Sequence, residues 1–102
     1  MKKIIDNIVC DTDTAEYLGC MEDYKTNHTY FESLYRTKDG AFFILCEIKF
    51  FVERHTKDDT PDEEIFLLTE EEAAEWAVWH MHPDDVTALF GADVYPAQGG
   101  EQ

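Results

Sequence analysis

From Phe42 to Val52 every even position is apolar: Phe42, Ile44, Cys46, Ile48, Phe50 and Val52. Glu47, Lys49 and Glu53 fall on the odd positions between and after them. A period of two predicts a long strand over 41–53 with one buried face. Phe43, Leu45 and Phe51 lie on the other face, free to meet a helix or a partner. Upstream, Thr29 to Thr37 ("TYFESLYRT") is rich in aromatic and β-branched residues, and Lys38-Asp39-Gly40 comes directly after it. Asp-Gly between two such runs signals a hairpin, because glycine supplies positive φ. Residues 29–53 are therefore predicted to form one. Lys3-Ile4-Ile5 and Ile8-Val9-Cys10 flank Asp6-Asn7 and predict a shorter, tighter hairpin at the N-terminus. Asp11 to Asp13 then form a turn of short polar side chains that bond the backbone. Tyr17 to Tyr24 is predicted as a third strand, weakened by Gly19, with 25–28 as a loop.

The period changes after residue 64. Residues 55–64 have no apolar member and contain Pro61, which marks an exposed connection. Ile65 to Leu68 is a short buried strand or an extended entry to a helix. Thr69-Glu70-Glu71-Glu72 is a capping box: the Thr69 hydroxyl takes an orphan amide and Glu72 reaches back to the Thr69 amide. The three glutamates also suit the positive end of the helix dipole. Ala73, Trp76, Ala77 and His80 follow helical spacing and are assigned to the inner face. Glu71 and Glu75 stand four apart on an outer face with no lysine to pair with, a cost of about 0.2–0.5 kcal/mol. A second helix starts near Pro83 with Asp84 and Asp85 at its positive end; Val86, Leu89 and Phe90 form its apolar side and Gly91 ends it. Residues 92–102, with Pro96, Gly99 and Gly100, are predicted to be a flexible tail. The expected fold is α+β: one domain over 1–91, an antiparallel β-sheet of four to five strands with two C-terminal helices packed on one face.

Composition fits that reading. The chain has 102 residues, 44% hydrophobic and 14% aromatic, which suits one ordered domain rather than a disordered segment. No apolar run approaches the roughly 18 residues of a membrane span. The basic start, Met1-Lys2-Lys3, has no long apolar stretch behind it and does not read as a signal peptide, so a soluble cytoplasmic protein is expected. Cys10, Cys20 and Cys46 are odd in number with no C-x-x-C, which argues against a disulfide scaffold or a structural zinc site. Cys46 is expected to be a small buried hydrophobe. Charge is the distinctive quantity. The net value is −15, and its distribution is uneven. Residues 1–57 carry eight basic and ten acidic side chains; residues 58–102 carry thirteen acidic and no basic ones. Self-repulsion of this kind opposes compaction, so a partner that uses the charge becomes an attractive explanation beside plain solubility.

That charge limits the candidate chemistry. His80 and His82 with Asp84 and Asp85 could suggest a metal site. Residues i and i+2 on a helix point about 200° apart, so the two histidines converge only if the helix ends at Met81. The alternative places His82 at the entry to the second helix and packs His80 beneath Trp76. Carboxylates for acid–base work need burial to move their pKa, and these sit in turns, first turns and a loop. There is no phosphate-binding glycine loop, no G-x-S-x-G and no H-E-x-x-H. No catalytic residue, metal or cofactor is expected. Lys25, Arg36, Lys38, Lys49, Arg54 and Lys57 interleave with Tyr30, Tyr35, Phe43 and Phe51, a pattern that can stack bases or be an ordinary mixed sheet surface. Direct nucleic-acid binding is disfavoured by the net charge. The acidic half suits a basic protein instead. Asp58, Asp59, Asp62, Glu63 and Glu64 lead into Glu70, Glu71, Glu72 and Glu75. A helix rises about 1.5 Å per residue, and duplex nucleic acid carries one charge per roughly 1.7 Å of axis. These nine residues are the candidate partner-binding site, as a phosphate mimic or, more plainly, as a solvated face.

Four blocks carry a resemblance: "CDTDTAEYLG" (10–19), "LYRTKDGAFFIL" (34–45), "FLLTEEEAAEWAVWH" (66–80) and "LFG" (89–91). In that order they resemble a group of small acidic proteins of phages and mobile elements in low-GC Gram-positive bacteria. This chain departs from the pattern at Cys10, where tyrosine is usual, at Leu67, where proline is usual, and in the insert "EIKFFVERHTKDDTPDEE". Some small acidic proteins of similar origin are anti-CRISPR proteins acting on Cas9. The resemblance implies an inhibitor in the bacterial host cytoplasm and carries no catalytic residue. Two other expectations stay beside it: a mobile-element accessory protein, as a homodimer through Phe43, Leu45 and Phe51, and a nuclease acting on guide RNA.

Overall fold

Asp6 and Asn7 both adopt positive φ, 52° and 67°. That is what a two-residue turn between right-twisted strands requires, and short polar side chains tolerate it. The turn joins β1 (Lys2–Ile5) to β2 (Ile8–Asp11) in antiparallel register, Ile5 opposite Ile8. The Asp11 carboxylate then accepts from the Asp13 amide at 3.0 Å and turns the chain into β3 (Glu16–Tyr24). In the computed structural model residues 1–26, 28–50 and 63–94 are described. β3, β4 (His28–Arg36), β5 (Phe42–Phe50) and β6 (Glu63–Leu68) form one antiparallel sheet in that spatial order. Gly40, at φ 92°, closes the β4–β5 turn, as the Asp-Gly signal predicts. Phe51, Val52 and Glu53 of the predicted long strand lie outside the described residues.

The fold has the expected α+β arrangement, with both helices on one face of the sheet, and the second face, left open for a helix or a partner, is also covered. Phe42, Phe43, Ile44 and Leu45 are consecutive and all buried. Alternation puts neighbours on opposite faces, so such a run requires a layer on each side. On one face Phe43, Leu45 and Ile65 pack with Cys10, Ile5 and Ile8 of the β1–β2 hairpin. Tyr35 stacks on Phe43 with centroids 5.1 Å apart, and Tyr17 meets Tyr35 edge-on at 5.7 Å. On the other face Leu34 and Phe42 pack against Ala73, with Trp76, Met81 and Phe90 around them. The predicted single sheet is thus a four-stranded sheet plus a separate two-stranded hairpin that roofs it. Phe43 and Leu45 are not available as a dimer surface, and Phe51 lies outside the described residues. Cys46, expected to be buried, is only half-buried; Cys10 is fully buried and Cys20 is exposed.

The helical layer forms where the caps predict it. Thr69 Oγ1 accepts from the Glu72 amide at 3.0 Å, and Glu72 Oε1 accepts from the Thr69 amide at 2.8 Å, opening α1 (Glu70–His80). His82 Nδ1 accepts from the Asp84 amide at 3.1 Å and caps α2 (Pro83–Phe90), which ends at Gly91, φ 90°. The buried residues of α1 are Ala73, Ala74 and Ala77, and Ala73 packs against Leu34 and Phe42 of the sheet. His80 is exposed, not inner, and lies against Trp76 at 4.9 Å. Gly19 sits at a register shift in β3, where a Cβ would come within 3.2 Å of Met81 Cγ. Ala92–Val94 form a 3-10 turn at the start of the predicted tail. Residues 95–102 of that tail lie outside the described residues. Among the described residues no helix is long and apolar enough to cross a membrane.

Candidate functional site

The positive charges of the described chain sit on the sheet and the hairpin. Lys3 pairs with Glu64 at 2.6 Å, Lys25 with Asp23 at 3.0 Å, and Arg36 with Glu16 at 2.7 Å. The helical layer, 69–90, has six carboxylates and no lysine or arginine. The fold therefore separates charge that composition alone only sums.

Six of the nine predicted site residues are described, two on β6 and four on α1. Asp58, Asp59 and Asp62 lie outside the described residues. Glu63 starts edge strand β6 and stands opposite Glu47 of β5. Desolvation, with a hydrogen bond to Glu63 behind it, raises the Glu47 pKa, while Lys49 opposes the shift. Glu64 is neutralised by Lys3. Glu72 is engaged in the capping box. Glu70, Glu71 and Glu75 remain, exposed on α1 and without an ion pair among the described residues. Asp84 and Asp85, which the partner-site reading leaves out, are exposed in the first turn of α2.

The residue that sequence reasoning missed is Trp79. It is 75% exposed, the most exposed large hydrophobic side chain among the described residues. The signal was present: Trp79 lies four residues after Glu75 and eight after Glu71, so helical spacing keeps it on their outer stripe. Glu71, Ala74, Glu75, Val78 and Trp79 of α1 and Val94 of the 3-10 turn line a shallow groove of about 380 Å³. Trp76, three residues earlier, is held differently. Its Nε1–H donates to Glu32 Oε1 at 2.7 Å, and Tyr30 donates to Glu32 Oε2 at 2.6 Å. Burial, then hydrogen bonds to Cys46 and Glu32, pushes the Tyr30 hydroxyl well above its ordinary range.

Other chemistry finds less support in the geometry. Burial is the largest cause pushing both Cys10 and Cys46 above the usual thiol pKa, a setting that disfavours the reactive thiolate. His82 is used in capping α2 and His80 lies on Trp76, so the His80, His82, Asp84 and Asp85 set does not converge. Among the described residues no three His, Cys, Asp or Glu side chains are placed to hold a metal ion. Tyr35 and Phe43, two of the aromatics that could have stacked bases, are in contact with the core under the hairpin. What the fold presents is a small α+β protein with an anionic, aromatic-bearing helical face. Comparison with family models, with curated proteins and with solved structures finds no match for this chain.

Proposed function

We propose that this chain is a non-enzymatic inhibitor that binds a basic, nucleic-acid-handling protein of a bacterial defence complex in the host cytoplasm. Cas9 is the partner to which the sequence resemblance points. The observation that carries the reading is the segregation of charge: ion pairs to lysine and arginine lie on the sheet and hairpin, while Glu70, Glu71 and Glu75 face outward unpaired on α1 among the described residues. A capped helix holds these carboxylates in fixed positions. Glu70 to Glu75 spans about 7.5 Å of helix axis. A channel lined with lysine and arginine for duplex charge at roughly 1.7 Å intervals can accept such a surface. Complementary fields also speed encounter and disfavour acidic competitors.

The experiment is cleavage of a plasmid by Cas9, with the protein added either before or after the guide RNA. Inhibition confined to early addition means competition for the guide-binding surface. Inhibition in both orders places the protein on the DNA side. A folded protein that inhibits in neither order removes the Cas9 assignment.

A further inference from the structure

The groove beside Trp79 has walls and a charge pattern that specify an occupant. Ala74, Val78 and Val94 give it apolar sides, and the indole of Trp79 gives it an aromatic face. Glu71 and Glu75 stand at its edge, exposed and without an ion pair among the described residues. We propose that this groove seats an arginine side chain of a partner protein. The proposal rests on the inhibitor reading only in taking that partner to be basic.

Each alternative occupant fails on a particular charge or contact. A purely apolar side chain would fill the groove but would strip water from two carboxylates without pairing them. A phosphate would be repelled. A second copy of this chain brings net charge −15, which opposes docking on an acidic face; of its two arginines, Arg36 is already paired with Glu16 and Arg54 lies outside the described residues. Arginine satisfies all three features together. Its methylene stem suits the apolar walls, its planar guanidinium stacks on indole, and its N–H groups reach carboxylates in a fork that lysine lacks.

The test uses a short glycine–arginine peptide and the same peptide with citrulline, which keeps the shape and removes the charge. The indole N–H signals of Trp76 and Trp79 are followed by NMR and assigned with Trp79→Phe. The arginine peptide is expected to shift the Trp79 signal and leave Trp76, whose N–H is held by Glu32, unmoved. Affinity is expected to fall about tenfold in the Glu71→Gln/Glu75→Gln variant and by at least as much with citrulline. Trp79→Ala, with its fold checked by circular dichroism, is expected to lose binding. Equal binding of the citrulline peptide, or no shift at Trp79, overturns the proposal. The plasmid assay keeps the two ideas apart. If Trp79→Ala inhibits Cas9 as well as the parent does, the groove proposal falls and the inhibitor reading stands. If the arginine peptide binds as expected while cleavage is untouched, the groove stands and the Cas9 reading falls.

Discussion

Trp76 and Trp79 lie three residues apart on α1, and their indoles have different surroundings. Trp76 Nε1–H donates to the Glu32 carboxylate across the helix–sheet interface, a bond that ties the helix to β4. Hydrogen bonds to charged groups contribute about 1.5–3 kcal/mol. Trp76→Phe is therefore expected to lower unfolding free energy by about that amount in urea. Trp79→Ala, at an exposed site, is expected to stay within about 0.5 kcal/mol of the parent. The reverse ranking would mean that the indole of Trp79 is structural. Glu47 gives a pH-dependent case. Its folded pKa is raised above 4.5, chiefly by desolvation and then by the hydrogen bond with Glu63. The folded state thus holds its proton more tightly than the unfolded state. The contribution is fully present below the unfolded pKa and is lost as pH rises through the folded pKa. At pH 7 the ionised Glu47 is a burden that Glu47→Gln removes. The variant is expected to melt higher than the parent at pH 7, with the gap closing as pH falls below 4.5. A gap that widens on acidification would show the sign to be wrong.

At the scale of elements, the helix caps and turns are local chemistry, and they were legible. Thr69 and Glu72 satisfy two amides at the start of α1, so Thr69→Ala is expected to cost about 1 kcal/mol of stability by urea unfolding. Asp6-Asn7 and Asp39-Gly40 set their hairpins through φ preferences that the residues carry with them. The second covered face was not legible in the same way. Four consecutive buried residues, Phe42 to Leu45, require two layers, yet nothing near them in sequence says that the hairpin at residues 2–11 is the second one. The outward place of Trp79 was missed for a related reason. Trp76, Ala77, Val78 and Trp79 form an unbroken apolar run, and such a run does not mark which side faces in. Ala73 and Ala77, both fully buried, decide it, with Ala73 packed directly against Leu34 and Phe42. Once Ala73 and Ala77 set the inner face, Trp79 is directed to solvent; His80 lies on their stripe, seven and three residues further on, and is exposed as the last residue of α1.

At the scale of the whole molecule, the candidate site was legible as composition and only partly as geometry. The loss of basic residues after Lys57 points to the C-terminal half. It does not show that Glu64 finds Lys3, 61 positions earlier in the chain, or that Glu72 is occupied in a cap. The remaining question is whether total charge or its placement matters. Net charge alone steers association and keeps proteins apart, and a value of −15 is large enough to do so anywhere on the surface. Two double reversals separate the explanations. Glu71→Lys/Glu75→Lys changes the α1 face, and Asp13→Lys/Asp39→Lys changes exposed turns of the sheet side. Each moves net charge from −15 to −11. Glu71 and Glu75 already repel each other, so like charge replaces like and helix stability changes little beyond a dipole term of about 0.3–1 kcal/mol. If placement matters, the α1 reversal is expected to abolish binding to the basic partner, while the turn reversal is expected to retain it. The parent's affinity should also weaken as salt shortens the screening length to about 8 Å at physiological ionic strength and further above it. Binding measured by calorimetry for all three proteins at two salt concentrations checks this. Equal losses in both variants would leave α1 no special part, and retained binding by a folded α1 reversal would end the charge-mimic mechanism.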